Sequence, residues 1–369
     1  MSARALALVL GAAALLAAGC GNTDAIRRGG TTGGTTLTVY SSLPSPGRGV
    51  SRDIVDGEKL ALAEVHGKIG KYAVNFSSLD EAANGAAEAA RTAMADTQTS
   101  ALIGSLDSKG ARSSIPLLNA TGVLHVSLGA GYMGFTERLT PNEPERWYPS
   151  ARRTFARLVG DDRAQARALV EAAGAGPIVV EAEADQGSQS LAAEVRRAAR
   201  SRNATSPGRG GAVIYAGDDP VAAAAVAESV AGEGARVVLP DEVVRVGVDA
   251  LLDDAAARRT VLVSRAPAPG STPALRAFEA AFERTYERKP GPYAALGYAA
   301  MTSVLDALKT AAEDDDAGTR QRVIDAFFAA GTHDTAIGPL TLEPDGVLAG
   351  PRFSTYRVSR GERVYDPNE

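Results

Sequence analysis

The chain has 369 residues, more than one ordinary hydrophobic core accommodates, so two domains are expected. It carries a single cysteine, which excludes an intramolecular disulfide and any cysteine-based metal cluster. Its 39 Lys+Arg against 44 Asp+Glu give a net charge of -5, with both signs interspersed and no basic stripe, which argues against a nucleic-acid partner.

Arg4 is the only charge before an Ala/Leu-rich run from Ala5 to Gly19. That run is too short to cross a bilayer as a helix, which needs roughly 20 residues. A basic start, a short apolar core and small residues before a cut are the marks of an export signal. The one cysteine, Cys20, directly follows Leu16-Ala17-Ala18-Gly19. This resembles a bacterial lipobox, with the leucine one place further from the cysteine than is usual. The resemblance implies that residues 1–19 are a lipoprotein signal peptide. Cys20 would then be the lipidated N-terminus, holding the protein on the extracytoplasmic face of the cell membrane. An ordinary secretory signal with an incidental cysteine is the alternative. Residues 20–36, rich in Gly and Thr and without apolar periodicity, read as a flexible tether. No second long apolar run follows, so only a lipid would hold the body at a membrane.

From Leu37 onward, short β-rich runs alternate with helical stretches. The first series of expected strands is Leu37–Tyr40, Tyr72–Phe76, Ala101–Gly104 and Leu124–Ser127. The second is Pro177–Glu181, Ala212–Tyr215, Arg236–Leu239 and Val261–Ser264. Helices are expected at Asp53–Val65, Glu81–Asp96, Ser188–Arg200 and Pro220–Gly232. Such alternation predicts right-handed βαβ units and parallel sheets covered on both faces, and two series predict two sheets. In the helix from Asp53, Ile54, Val55, Ala61, Leu62 and Val65 share one arc. Glu58 lies inside that arc near the helix start, where an edge-solvated carboxylate is tolerated by the dipole. Beyond Ser264 the pattern predicts helices over Ala274–Arg288 and Tyr293–Ala311, an acidic surface loop at Glu313–Asp316, and a hairpin. The hairpin would turn at Pro344-Asp345-Gly346, between Gly338–Leu342 and Phe353–Val358.

Four stretches in this order resemble the type I periplasmic binding proteins, specifically the branched-chain amino-acid (Leu/Ile/Val) binding branch of ABC importers. They are VDGEKLALAEV (55–65), ALIGSLDSKGARSSIPLLNATGVLHVSLGA (101–130), PALRAFEAAFERTYERKPGPYAALGYAAMTSVLDAL (273–308) and AIGPLTLEPDGVLAGPRFSTYRV (336–358). The resemblance implies an α/β fold of two Rossmann-like lobes with a ligand cleft between them. Residues 37–154 and 266–349 would form the N-terminal lobe, and 155–265 with 350–369 the C-terminal lobe. Ligands of open parallel sheets bind beyond the carboxyl ends of the strands, where helix N-termini offer N–H donors.

Three first-lobe loops follow expected strands: Ser41–Gly47, Ser105–Gly110 and Ser127–Tyr132. Their small hydroxyl and glycine residues suit anion capture, although the same residues make plain turns anywhere. Ser42, Ser108 and Lys109 are candidate contacts from the first two loops, and Gly129, Ala130 and Gly131 from the third. By resemblance, Ser108 matches a hydroxyl that holds the ligand carboxylate, and Gly131 stands where the family has a threonine, so one hydroxyl contact is lost. In the second lobe, Gln186 replaces an aromatic lid and Asp218 falls where a tyrosine is frequent. Asp218 could equally belong to a helix cap before Pro220. Asp241 matches a carboxylate that pairs with the ligand's ammonium, or it caps a following helix. Two cleft carboxylates would favour a cationic partner, so the expected ligand is an amino acid or related amine or amide more polar than leucine. Trp147 and Tyr148 either cover the cleft mouth or pack near the hinge.

Among the three histidines, His125 lies between Leu124 and Val126 and reads as a core or edge residue. H-E-x-x-H, the G-x-S-x-G elbow and a G-x-x-x-x-G-K-[ST] loop are absent from the sequence, and neither a catalytic centre nor a cofactor is expected. The expected function is that of a lipid-anchored substrate-binding protein delivering a small ligand to ABC permease subunits. A lipid-anchored sensor feeding a signalling receptor is the alternative.

Overall fold

The computed structural model describes residues 35–313 and 319–366. The signal peptide, Cys20, the tether as far as Gly34 and Asp314–Asp316 of the acidic loop lie outside the described residues.

The chain opens with β1 (Thr36–Leu43), α1 (Gly49–Glu64), β2 (Lys68–Ile69), β3 (Tyr72–Asp80), α2 (Ala86–Ala95), β4 (Thr99–Ile103), α3 (Ser108–Ala120), β5 (Leu124–Ser127) and β6 (Phe155–Arg157). A second series follows: α4 (Asp162–Ala172), β7 (Ile178–Ala182), α5 (Gln186–Ala199), β8 (Ala212–Ala216), α6 (Pro220–Ala231), β9 (Arg236–Leu239), α7 (Asp241–Val244) and β10 (Thr260–Ser264). The chain then forms α8 (Pro273–Tyr286), α9 (Ala294–Glu313), α10 (Arg320–Ala329), β11 (Thr332–Thr335), β12 (Gly338–Thr341), β13 (Ser354–Ser359) and β14 (Glu362–Tyr365).

Two six-stranded sheets result, ordered β2-β3-β1-β4-β5-β6 and β14-β13-β10-β9-β8-β7. Pairing is parallel except at β2, β13 and β14. The central strands are buried on both faces, which is why they read as continuous apolar runs. In the first lobe, Val39, Ile103 and Val126 pack with Leu296 and Val304 of α9 and Phe327 of α10, so helices late in sequence close the early sheet. In the second, Ile178, Ile214 and Val263 pack with Leu169 and Val195 on one face, while Val237, Leu239 and Leu262 pack with Ala223 and Val243 on the other. The chain passes between the lobes after β6, after β10 and after β12.

Several local expectations need correction. β6 pairs with β5, so residues 155–157 extend the first sheet past the expected boundary at 154. Phe155 draws them there by stacking edge-on against His125 and Phe135. The helix expected over 81–96 breaks at Gly85, whose φ is +80°; residues 81–84 form only a turn before α2 begins. The Pro344-Asp345-Gly346 turn forms, but only the single bridge Leu342–Leu348 spans it. β12 instead pairs back onto β11, and β13 joins β10 and β14 in the second sheet. Trp147 and Tyr148 are buried, donating to the Gly134 and Phe135 carbonyls at 2.9 and 2.8 Å, so they pack behind the third loop rather than cover a cleft.

Glu58 is the sharpest correction. It is 0% exposed, and neither carboxylate oxygen has a hydrogen-bond partner among the described residues. Burial pushes its pKa well above the ordinary value, and the Ser41 hydroxyl and Lys59 offset this only in part. The folded state therefore favours the protonated acid. The benefit is complete below the ordinary carboxylate pKa and is lost as pH rises toward the raised one. Glu58→Met removes the two orphaned oxygens at similar volume. It is expected to raise the melting temperature at pH 8 by more than at pH 5, flattening the stability–pH curve over about that range. Equal Tm changes at both pH values would show that folding does not raise the Glu58 pKa.

Candidate functional site: the interlobe cleft

The loops at the carboxyl ends of the strands in both sheets face one another across a cavity of about 300 Å³. Asp107, Ser108, Lys109 and Arg112 of the first lobe form one wall. Glu183, Asp185, Gln186 and Asp218 of the second lobe form the opposite wall, and Leu191 is the one large apolar side chain on the lining.

Three helices start at these walls, and each start is fixed by a carboxylate. Asp107 accepts from Gly110 N at 2.6 Å and caps α3. Asp185 accepts from Gly187 N at 2.8 Å, Ser188 N at 3.2 Å and the Ser188 hydroxyl, and caps α5. Burial acts to raise its pKa, but these hydrogen bonds and the nearby Arg112 outweigh it and lower the pKa. Asp219, not Asp218, caps α6, accepting from Val221 N and Ala222 N at 2.8 and 3.3 Å. Glu183 ties this corner together, accepting from Asp218 N and Asp219 N, both at 3.0 Å, and from the Tyr215 hydroxyl. The Asp218 side chain is thereby left at the cavity, where burial and the charges of Glu183, Asp185 and Asp107 raise its pKa.

Two of the cavity's lining carboxylates, Asp162 and Glu242, are backed by the protein's own cations. The Arg265 side chain is completely buried. It donates to the Gly160 carbonyl at 3.0 Å, to Glu242 Oε1 at 2.5 Å and to Asp162 Oδ1 at 3.3 Å. Asp241 Oδ2 stands 3.6 Å from Arg265 Nη1 and 3.9 Å from Arg245 Nη1. Arg245 reaches across from the second lobe to donate to the Leu106 carbonyl of the first. Burial opposes the Arg265 charge, but Glu242, Asp241 and Asp162 outweigh it and raise its pKa. Burial pushes the Asp162 carboxyl up to about 7, Arg265 offsetting this only in part. Glu242 is held low: burial would raise it, and Arg265 with Arg245 prevails.

Of the residues singled out from sequence, Ser108, Lys109, Gln186 and Asp218 line the cavity. Ser108 Oγ accepts from Tyr132 N at 3.0 Å, which leaves its own proton available. Ser42 is buried away from the cavity, donating to Glu81 Oε1 at 2.7 Å. Asp241, expected to meet a ligand ammonium, is 1% exposed and already coordinated. Its Oδ1 accepts from the Tyr293 hydroxyl at 2.5 Å, from Arg265 N at 2.8 Å and from the Ser264 hydroxyl at 3.2 Å. Gly129, Ala130 and Gly131 serve as seats for arginines. A Cβ on Gly129 would stand 2.5 Å from Arg245 Nη1, and one on Gly131 would stand 2.5 Å from Arg265 Nη2. The Ala130 and Gly131 carbonyls, with that of Tyr132, accept from Arg157 Nη1, each at 3.1 Å.

Sequence reasoning passed over Arg112, Arg157, Arg245 and Arg265, because a lone arginine carries no spacing signal. Only the glycines opposite them hinted that something large approaches the third loop.

Neither a protein-family model nor a curated protein matches the sequence. Solved structures do match. A substrate-binding protein of an ABC transporter from Desulfitobacterium hafniense, in complex with Leu, is 16% identical with a TM-score of 0.71, covering 89% of this chain and 99% of its own. A leucine-binding protein from Thermotoga maritima is 16% identical with a TM-score of 0.72, covering 89% and 97%. A solute-binding protein from R. palustris, in complex with benzoate, is 17% identical with a TM-score of 0.69, covering 89% and 95%. Likeness at this level of identity speaks for architecture, and with the two sheets and the crossing segments it gives the chain the two-lobe fold of the type I periplasmic binding proteins.

Proposed function

We propose that this protein is the substrate-binding component of an ABC-type importer. It captures an amino acid or related small polar amine or amide between its lobes and presents it to permease subunits. The observation that carries this reading is the cavity itself. It is walled by loops from both lobes, with the starts of three helices at its edges. Such a site binds by enclosure, which suits capture and release better than chemistry, and we read the protein as a binder rather than an enzyme. Three solved neighbours bind Leu, Ile and benzoate respectively, so the same architecture holds both zwitterions and simple anions. We further read Cys20 as the lipid attachment point, which would keep the protein on the extracytoplasmic face of the membrane beside its permease.

Unfolding and refolding the purified protein strips any co-purified ligand. A screen of amino acids, amines, amides and aromatic acids is then expected to find at least one compound that raises Tm with saturable dependence, since anything binding only the native state must do so. A flat response across the whole set would remove the binding role.

A further inference from the structure

The first-lobe wall holds a cation with no acceptor. Arg112 lies in the second turn of α3, with its guanidinium over the Tyr132 ring, 4.5 Å from the centroid. Its Nε and Nη2 are enclosed and have no hydrogen-bond partner among the described residues. Tyr132 is a rigid support for it. The Tyr132 hydroxyl donates to Glu143 at 3.0 Å and its backbone N–H donates to Ser108 Oγ at 3.0 Å. The arginine, the free Ser108 proton and the start of α3 thus share the first-lobe wall of the cavity.

The second-lobe wall has the opposite character. Asp185 is committed to capping α5, and Glu183 to Tyr215 and the start of α6. The Asp218 carboxylate accepts no hydrogen bond from any described residue, although its backbone N–H is used. Asp162 and Glu242 are matched by Arg265. The remaining wall charges are four carboxylates, Asp107, Glu183, Asp185 and Asp218, against two cations, Lys109 and Arg112. An apolar ligand would meet only Leu191, and a simple anion would leave this excess uncompensated.

We infer that the cavity selects a small molecule with one carboxylate and a surplus of positive charge, a dibasic amino acid, its carboxylate on Arg112 and Ser108 and its distal cation against Asp218. The inference rests on the binding role proposed above and names the ligand class of that same site. A carboxylate on a guanidinium is the strong, planar, charge-assisted pairing that an unpartnered arginine calls for.

The test is calorimetric titration of the refolded protein with L-arginine, L-lysine, agmatine, L-glutamate, L-leucine and benzoate. L-Arginine or L-lysine is expected to bind best. Agmatine, which lacks the carboxylate, is expected to bind about tenfold or more weakly than L-arginine. Arg112→Gln should bring agmatine and L-arginine to near parity. Asp218→Asn, at a solvent-exposed position that the fold does not depend on, should weaken the dibasic amino acids by about tenfold. Saturable binding with L-leucine, L-glutamate or benzoate preferred would keep the binding role and overturn this ligand class. So would unchanged affinities in Asp218→Asn. Binding by none of the six, together with a flat thermal screen, would overturn both.

Discussion

Arg265→Met is expected to cost roughly 3–5 kcal/mol of stability at neutral pH, the range found when one partner is removed from a buried charge network. The side chain is wholly buried and faces Asp162, Asp241 and Glu242. Glu242 would keep its hydrogen bond from Gln165, at 2.8 Å, and Asp241 those from Tyr293 and Ser264. Their charges would nevertheless lose the main compensating cation, and Asp162 would lose its direct partner. The Gly160 carbonyl in the crossing segment after β6 would also lose its donor. The deficit has a pH signature. Without Arg265 the folded-state pKa values of Asp162 and Glu242 move upward, so the variant is penalised most where they should be ionised. The penalty shrinks as pH falls toward the ordinary carboxylate range. Arg265→Lys restores the charge but not the forked geometry that serves Glu242, Asp162 and Gly160 together, and should recover only part of the loss. Urea unfolding at two pH values measures all of this. A loss below about 1 kcal/mol for Arg265→Met, or one that does not depend on pH, would mean that the cluster is not a charge network of consequence.

The scaffold was legible because periodicity reports which face of an element is buried, and parallel strands between helices leave few topologies. Arg236–Leu239 emerges with the limits read from sequence, and Ala212–Tyr215 lies within one residue of them. What sequence could not give was pairing between distant segments. The same Pro-Asp-Gly signal suits a hairpin whether or not its flanks pair with each other, and here β12 and β13 are claimed by different lobes. Glu58 illustrates a second limit. A single carboxylate in an apolar arc reads as an edge position, since burial with no partner is costly, and that cost is invisible until α9 closes over α1. In the cleft, loop residues were found by their place after strands, which puts Ser108, Gln186 and Asp218 on the cavity wall. The arginines behind the lining carboxylates directly follow β10 and α7, more than a hundred residues beyond the third loop, and no local pattern announces them.

Those arginines also account for the third loop's glycines and make the position of Gly131 decisive. Family resemblance puts a threonine there, which would ordinarily be a ligand contact, so Gly131→Thr looks like a repair. The structure predicts the opposite. A Cβ at Gly131 falls onto Asp162 Oδ1 and stands 2.5 Å from Arg265 Nη2. The loop cannot swing away, because the Gly131 carbonyl accepts from Asp162 N at 2.9 Å and from the buried Arg157 at 3.1 Å. Threonine therefore has to displace the Asp162 carboxylate from Arg265, at the junction where the chain leaves the first lobe. Overpacking of this kind typically costs about 1–3 kcal/mol, and here disruption of the ion pair adds to it. Ligand affinity should fall as well, because Asp162 and Glu242 form part of the cavity lining and would lose their shared partner's position. The decisive comparison is a double-mutant cycle. Asp162→Ala removes the atom on which the new Cβ falls, so Gly131→Thr should be far less damaging in that background, with a coupling of about 0.5–3 kcal/mol. Additive losses, or a Gly131→Thr protein as stable and as tight-binding as the parent, would mean that the third loop has room for a side chain and that Arg265 does not hold the seat assigned to it.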